Sequence, residues 1–262
     1  MHRHLWRERI ASEILPVAIA AIFLSFAAIF ITGLARPSAA QDDTGDSSDD
    51  YQQAVAQASH PGPRFVSTSL ERFKFDHPVS VVTWTKSTYL ASYKKSDPVS
   101  IPADLWVTEV PYLKAFCQEW VRTHGSDADQ LALRLRQRLG LPPNDPDDIF
   151  VELTVDPKDN DKMFRPCDGS SLDSGTCGVP HLPAPGDPSM SGQQQEWLLR
   201  NYYASFATNN PYPWTDLGYT FDWARNDDTG DFVRYGESEF VIPANTPVHY
   251  VSDAGTAAYC AP

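Results

Sequence analysis

The chain lacks the sequence patterns that bind nucleotides or hold a catalytic zinc ion. Its 262 residues contain no G-x-x-x-x-G-K-S/T loop, no G-x-G-x-x-G turn and no H-E-x-x-H helix. Those patterns place backbone amides around phosphates, or two histidines on one helix face. The aspartate-rich stretch "QDDTGDSSDD" also lacks the glycine and closing glutamate of a calcium-binding loop. We therefore expect no cofactor and no metal site.

Basic residues are scarce. The chain has 21 Lys and Arg against 34 Asp and Glu, a net charge of −13. Residues 1–40 contain four of the basic and two of the acidic residues, so the remainder has 17 against 32 and a net charge of −15. Such a surface repels the phosphates of nucleic acids and anionic lipids. We expect no nucleic-acid partner; a protein or glycan partner remains open.

The N-terminus has the layout of an export signal. Three arginines precede an apolar run from Ile14 to Ile31, and the small residues Ser38-Ala39-Ala40 follow as a cleavage site. The run is also long enough for an uncleaved anchor, in which case residues 14–34 would be the membrane contact. Both interpretations predict that the rest of the chain is periplasmic or secreted, because the positive end stays inside.

All four cysteines follow this leader. An even number of cysteines in an oxidising compartment favours two disulfides. The sequence also lacks a C-x-x-C pair, the pattern that would indicate a metal site. We predict that Cys167 pairs with Cys177 within one loop, and that Cys117 pairs with Cys260. Free thiols or a metal site are the alternatives.

The pattern after the leader predicts a flexible acidic linker over residues 41–63 and one globular domain over residues 64–262. The linker is rich in Asp, Ser and Gln and poor in large apolar residues. Helical spacing and end signals predict three helices, over residues 111–125, after Ser126, and after Ser191. β-branched and aromatic content predicts strands at 79–85, 104–108, 149–155, 216–223, 238–242 and 247–251. This order is typical of a disulfide-stapled α+β domain with a mainly antiparallel sheet.

The stretch "PWTDLGYTFDW" at 213–223 combines aromatics and carboxylates. Alternation places Leu217, Tyr219, Phe221 and Trp223 on one face, as expected of a core strand, and Asp216 and Asp222 on the other. The second face makes Trp214, Asp216 and Asp222 candidate ligand-binding residues.

Two hypotheses for function follow. The first is a non-catalytic exported or envelope-tethered binding domain. The second is a hydrolase of glycan or cell-wall polymer, because such enzymes need two carboxyl groups and aromatic faces that stack on sugars. Its candidate catalytic residues are Asp216, Asp222, Glu237 and Glu239.

Two further stretches, "RFVSTSLERF" and "YGESEFVIPANTPV", resemble the Ser-Thr-Ser and Glu-x-Glu strands of mono-ADP-ribosyltransferases. The resemblance implies that Ser67 and Ser69 support a nicotinamide pocket and that Glu239 is the catalytic acid. That family also needs an arginine on an earlier strand, and after the leader Arg64 is the one arginine that precedes them.

A second resemblance covers roughly the C-terminal hundred residues. The stretches "PWTDLGYTFDW", "SEFVI" and "FRPC" look like sequences of uncharacterised exported bacterial proteins. That resemblance implies a recurring compact domain and no known activity.

Overall fold

The structure, a computed structural model, describes residues 44–73, 77–156, 162–167, 172–179 and 192–262. The predicted leader lies outside these ranges, as does Ser191. Within them, no helix is both long enough and apolar enough to cross a membrane.

Seven strands form one sheet in the order β2-β7-β4-β1-β3-β6-β5. Every neighbouring pair is antiparallel. The strands are β1 Val79–Thr85, β2 Val99–Ser100, β3 Leu105–Glu109, β4 Ile149–Val155, β5 Tyr219–Arg225, β6 Phe232–Ile242 and β7 Pro247–Gly255. The predicted α+β class and antiparallel sheet are confirmed.

Six α-helices lie in the described ranges: α1 Thr44–Ala58, α2 Leu90–Tyr93, α3 Tyr112–His124, α4 Ala128–Leu139, α5 Gly192–Phe206 and α6 Thr256–Tyr259. The three predicted helices correspond to α3, α4 and α5. The N-cap of α4 is Asp127, the residue after Ser126, because the Asp127 carboxylate accepts hydrogen bonds from backbone amides in the first turn of the helix. Gly140 ends α4 in the left-handed region, with φ 68°.

Helix α1 corrects the predicted linker. Residues 44–58 are helical, and Tyr51, Ala54 and Ala58 are buried against β5. The Tyr51 ring meets Trp223 edge-on at 5.7 Å between centroids. These residues recur at helical spacing on one narrow stripe. The prediction of a linker missed this stripe, because it relied on the average composition of the segment, and most residues around the stripe are polar.

The sheet carries a different layer on each face. On one face, aliphatic side chains of β1, β3, β4 and β6 pack with Phe73, Met163 and Leu172 from segments outside the regular elements. On the other face, Val82 and Phe150 pack under α3 and α4, and Val241 packs under α5. A space remains on this second face where α5 and the end of α4 approach β3 and β6.

Both predicted disulfides are confirmed. Cys117 in α3 bonds to Cys260 after α6, with 5.2 Å between Cα atoms. Cys167 bonds to Cys177, with 6.2 Å between Cα atoms. The first joins residues 143 positions apart and therefore ties the C-terminal end of the chain to the helical layer.

Candidate functional site

A cavity of about 510 Å³ lies on the helix-covered face of the sheet. We call it the sheet–helix cavity. Its walls come from β1, β3, β5 and β6, from α5, and from the segments that follow α4 and α5. Its volume is within the range of roughly 300–1,000 Å³ that is usual for small-molecule sites. Aromatic side chains form much of the lining: Trp84, Trp106, Tyr212, Trp214 and Phe221.

Four buried polar atoms at this cavity have no hydrogen-bond partner in the described part of the chain. They are Thr108 Oγ1, Asn201 Nδ2, Trp214 Nε1 and Glu239 Oε1, and all four residues line the cavity. A buried polar group left without a partner costs about 1–3 kcal/mol. Four such atoms at one cavity therefore destabilise the folded protein unless a ligand or water supplies the missing hydrogen bonds.

The position of these groups follows from the sheet register. Thr108 in β3 lies directly opposite Glu239 in β6, so both side chains point to the same face. Trp214 is 6% exposed and packs edge-on against Trp197 of α5, with 6.1 Å between ring centroids. Asn201 lies one turn further along α5 from Trp197.

Three other tryptophan indoles of this protein donate hydrogen bonds to protein oxygens. Trp84 Nε1 donates to Thr256 Oγ1 at 2.9 Å, and Trp223 Nε1 donates to the Leu141 carbonyl at 3.0 Å. Trp197 Nε1 donates to the Asp104 carboxylate at 2.9 Å. The indole of Trp214 differs, because the residue lines the cavity and its Nε1 has no partner in the described part of the chain.

Glu239 is a buried carboxyl group in this wall, with 5% of the residue exposed. Burial raises its pKa to about 8; the charge of Asp216 also raises it, and the Arg165 guanidinium opposes the shift. Glu239 is consequently protonated at neutral pH. A protonated carboxyl group can donate a hydrogen bond as well as accept one.

A second carboxyl group with a raised pKa lines the same cavity. Burial raises the pKa of Asp147 to about 7, and the charge of Asp145 and a hydrogen bond with it add to the shift. Lys86 acts in the opposite direction. Both aspartates lie in the segment that follows α4 and contribute to the cavity lining.

Asp222 lies outside the cavity lining, in an ion pair. It is fully buried, and Arg134 of α4 donates to both carboxylate oxygens, at 3.1 and 2.7 Å. The Ala224 amide donates to the same carboxylate at 3.1 Å. The alternation pattern left this face of β5 open for a ligand, but α4 covers it and supplies the arginine.

Glu237 is likewise bound to α4. Arg138 Nε donates to its carboxylate at 2.7 Å, and the same arginine lies 3.6 Å from Asp222. The two carboxylates and two arginines thus form one network between α4 and the β5–β6 pair.

The remaining predicted site residues lie near the cavity. Trp214 lines it, and Asp216 acts on the pKa of Glu239 through its charge. Asp216 has φ 52°, in the left-handed region, in the turn that leads into β5. The alternate residues Leu217, Tyr219, Phe221 and Trp223 are all buried, as their core assignment predicts.

The geometry gives the transferase resemblance no support. Ser67 and Ser69 lie on a segment without strand structure, where the Ser69 amide donates to Ser67 Oγ at 3.2 Å. Neither serine lines the cavity that contains Glu239. Arg64 instead lies over the Phe65 ring, 5.4 Å from its centroid.

Sequence reasoning missed Thr108, Asn201 and Asp147. For Asn201 a signal exists, since it falls four residues after Trp197 and three after Leu198, on the apolar face of α5. A polar residue inside an apolar helix face indicates a buried polar group. Thr108 has no such signal, because threonine is common in strands.

The arrangement can bind a small molecule through an indole N–H, an amide, a hydroxyl and a neutral carboxyl group. Within the described ranges, no group of three His, Cys, Asp or Glu side chains could hold a metal ion. Comparisons with protein-family models, with curated proteins and with solved structures find no match for this chain.

Proposed function

We propose that this chain is an exported binding domain that holds a small organic ligand in the sheet–helix cavity. The observation that carries the proposal is the convergence of four unpartnered buried polar atoms on one aromatic-lined cavity. A few placed polar groups in a mainly apolar pocket are typical of small-molecule sites. Hydrogen bonds to a ligand would offset the cost of burying those groups.

A binding role is favoured over catalysis by the state of the other carboxyl groups. Asp222 and Glu237 are both held by arginines of α4. A general acid or nucleophile must be able to reach its substrate, and these two carboxylates face the protein. Glu239 is the one of the four sequence-derived candidates that lines the cavity.

The extracytoplasmic location is part of the proposal. Two disulfides are consistent with an oxidising compartment. The leader would deliver residues 44–262 there, either released after cleavage or anchored by residues 14–34.

A hydrolase is the second candidate, favoured by the influence of Asp216 on the pKa of Glu239. In this candidate Glu239 would be the acid and Asp216 the partner carboxylate of glycan cleavage. Release of reducing sugar from cell-wall polysaccharide, lost in Glu239→Gln, would support this candidate. Binding of the same polysaccharide without cleavage would contradict it.

Blocking the cavity should weaken ligand binding. Ala204 of α5 is exposed and also lines the cavity, so it lies at the opening. We expect Ala204→Trp to weaken fragment binding at least about tenfold, because an indole would occupy the ligand's space. The measurement is a ligand-observed NMR screen of fragments against the full chain.

The matched control is Tyr203→Trp, at the neighbouring position of α5. Tyr203 is 61% exposed and does not line the cavity. This variant should bind like the wild type. A library without a single binder, or equal binding by Ala204→Trp, would contradict the proposed function.

A further inference from the structure

The lining of the sheet–helix cavity is acidic. It contains Asp104, Asp145, Asp147 and Glu239, and among its described residues no Lys, Arg or His. Asp104 is already neutralised by Arg200 at 3.0 Å. For the other three carboxyl groups, the described residues provide no cation within ion-pair distance.

The arginines of α4 are bound to protein groups. Arg134 and Arg138 pair with Asp222 and Glu237. Arg136 donates from Nε to the Asp145 carbonyl at 2.8 Å.

Arg165 is held in a similar way. It is fully buried and donates to the backbone carbonyls of Glu71 and Ser174, at 2.5 and 3.2 Å. Among the described residues, Asp145, Asp147 and Glu239 thus line the cavity without a cation within ion-pair distance.

The apolar part of the lining suits an organic cation. Trp84, Trp106, Tyr212 and Trp214 contribute aromatic groups to one cavity. The face of an aromatic ring attracts a cation, and more strongly when water is excluded. A neutral ligand would use the apolar lining and hydrogen bonds to the carboxyl groups, without attraction between opposite charges, and an anion would be repelled once those groups ionise.

We propose that the sheet–helix cavity binds an organic cation, a primary amine or quaternary ammonium group carried on an apolar body. This inference rests on the proposed function and names the chemical class of its ligand. The apolar body packs against the tryptophans, and the cationic group lies beside Glu239 or Asp147.

Ionisation of the carboxyl groups that line the cavity makes ligand binding depend on pH. A bound cation lowers the pKa of Glu239 and of Asp147, which burial holds at about 8 and about 7. Binding therefore releases protons near neutral pH, and affinity for the cation increases as pH rises.

Other charged groups act on these two carboxyl groups. Asp216 raises the pKa of Glu239, and Arg165 lowers it. For Asp147, Asp145 and Asp148 raise the pKa, and Lys86 lowers it.

The test uses three probes that share one apolar body: 3-phenylpropylamine, 3-phenylpropanol and 3-phenylpropanoate. Titration calorimetry on the full chain should show, at pH 8.5, the amine binding at least about tenfold more tightly than the alcohol, with the carboxylate weakest. At pH 6 the difference in affinity between the amine and the alcohol should be smaller. Near neutral pH the measured heat of amine binding should also depend on the buffer's ionisation enthalpy, because binding releases protons.

Variants identify the groups responsible. Glu239→Gln and Asp147→Asn should each reduce the preference for the amine, measured as the ratio of the Kd for the alcohol to the Kd for the amine. Glu119→Gln, an exposed position on α3, is the control and should behave like the wild type.

The two proposals fail in different ways. If the alcohol binds the wild type as tightly as the amine, the cation inference is wrong while the binding function stands. If none of the three probes binds, the cation inference is also overturned, and the fragment screen then decides separately whether the cavity binds any ligand.

Discussion

Replacing Glu239 with glutamine is expected to stabilise the protein at pH 8.5 by about 2–5 kcal/mol and to change its stability little near pH 4.5. The pKa of this buried carboxyl group is about 8 in the folded protein, against an ordinary value of 4.5. Between those pH values the folded state binds more protons than the unfolded state. Its contribution to stability is thus present below pH 4.5 and is lost as pH rises towards 8.

Glutamine removes this dependence because it cannot ionise and has nearly the shape of a protonated glutamate. The measurement is urea unfolding of wild type and Glu239→Gln from pH 4.5 to 9. Burial also raises the pKa of Glu109 and Asp147 to about 7, so part of the alkaline loss of stability should remain in the variant.

The control for this experiment is Glu119→Gln, since Glu119 is 62% exposed in its side chain. Its stability curve should run parallel to that of the wild type. A parallel curve for Glu239→Gln itself would mean that Glu239 is ionised and solvated in the folded protein, against the structure of the cavity wall.

Replacing Asp222 with alanine is expected to cost about 3–5 kcal/mol of folding free energy. The Asp222 side chain is fully buried, and that of Arg134 is 16% exposed. Removing the carboxylate leaves Arg134 without its bidentate partner, and Arg138 loses a charge 3.6 Å away. The loss should appear in urea unfolding at pH 7.

The variant Glu119→Ala is the matched control, because it removes an exposed ion pair with Arg122. We expect a cost below about 1 kcal/mol there. The double variant Asp222→Ala with Arg134→Met should recover part of the loss, since it also removes the uncompensated cation. A cost for Asp222→Ala as small as that of the control would mean that the network does not hold α4 to the sheet.

This network matters for the cavity because α4 supplies one wall. Leu139, Gly140 and Leu141 at its end line the cavity. A Cβ atom at Gly140 would lie 3.4 Å from the Phe221 carbonyl oxygen, and its φ of 68° favours glycine. The ion pairs therefore position the wall, and the glycine lets it pass close to β5.

Much of the fold could be predicted from local patterns. The strand predictions at 79–85 and 149–155 match β1 and β4 in full, because β-branched and aromatic residues fill both stretches. The pairing of Cys167 with Cys177 could also be predicted, because both lie in one loop. Helix α1 could not, since its buried face depends on aromatic partners in β5, about 170 residues away along the chain.

The candidate site was harder to predict from the sequence, because it also depends on contacts between residues far apart along the chain. The stretch at 213–223 and the Glu-x-Glu pair indicated where carboxyl groups gather, and Glu239 and Trp214 do line the cavity. Which carboxylates are neutralised depends on α4, whose Arg134 lies 88 residues from Asp222. Hydrogen-bond partners at such distances in sequence cannot be read from alternation.

The indole N–H resonance of Trp214 provides the most direct test of a ligand site at the sheet–helix cavity. A ¹H–¹⁵N spectrum of the full chain resolves tryptophan indoles, and Trp214→Phe identifies this one by its loss. On titration with 3-phenylpropanol and 3-phenylpropylamine, we expect the Trp214 resonance to shift more than that of Trp223, which does not line the cavity and whose N–H group already bonds to a protein oxygen. A Trp214 resonance that stays in place at saturating concentrations of both probes would contradict a ligand site in this cavity.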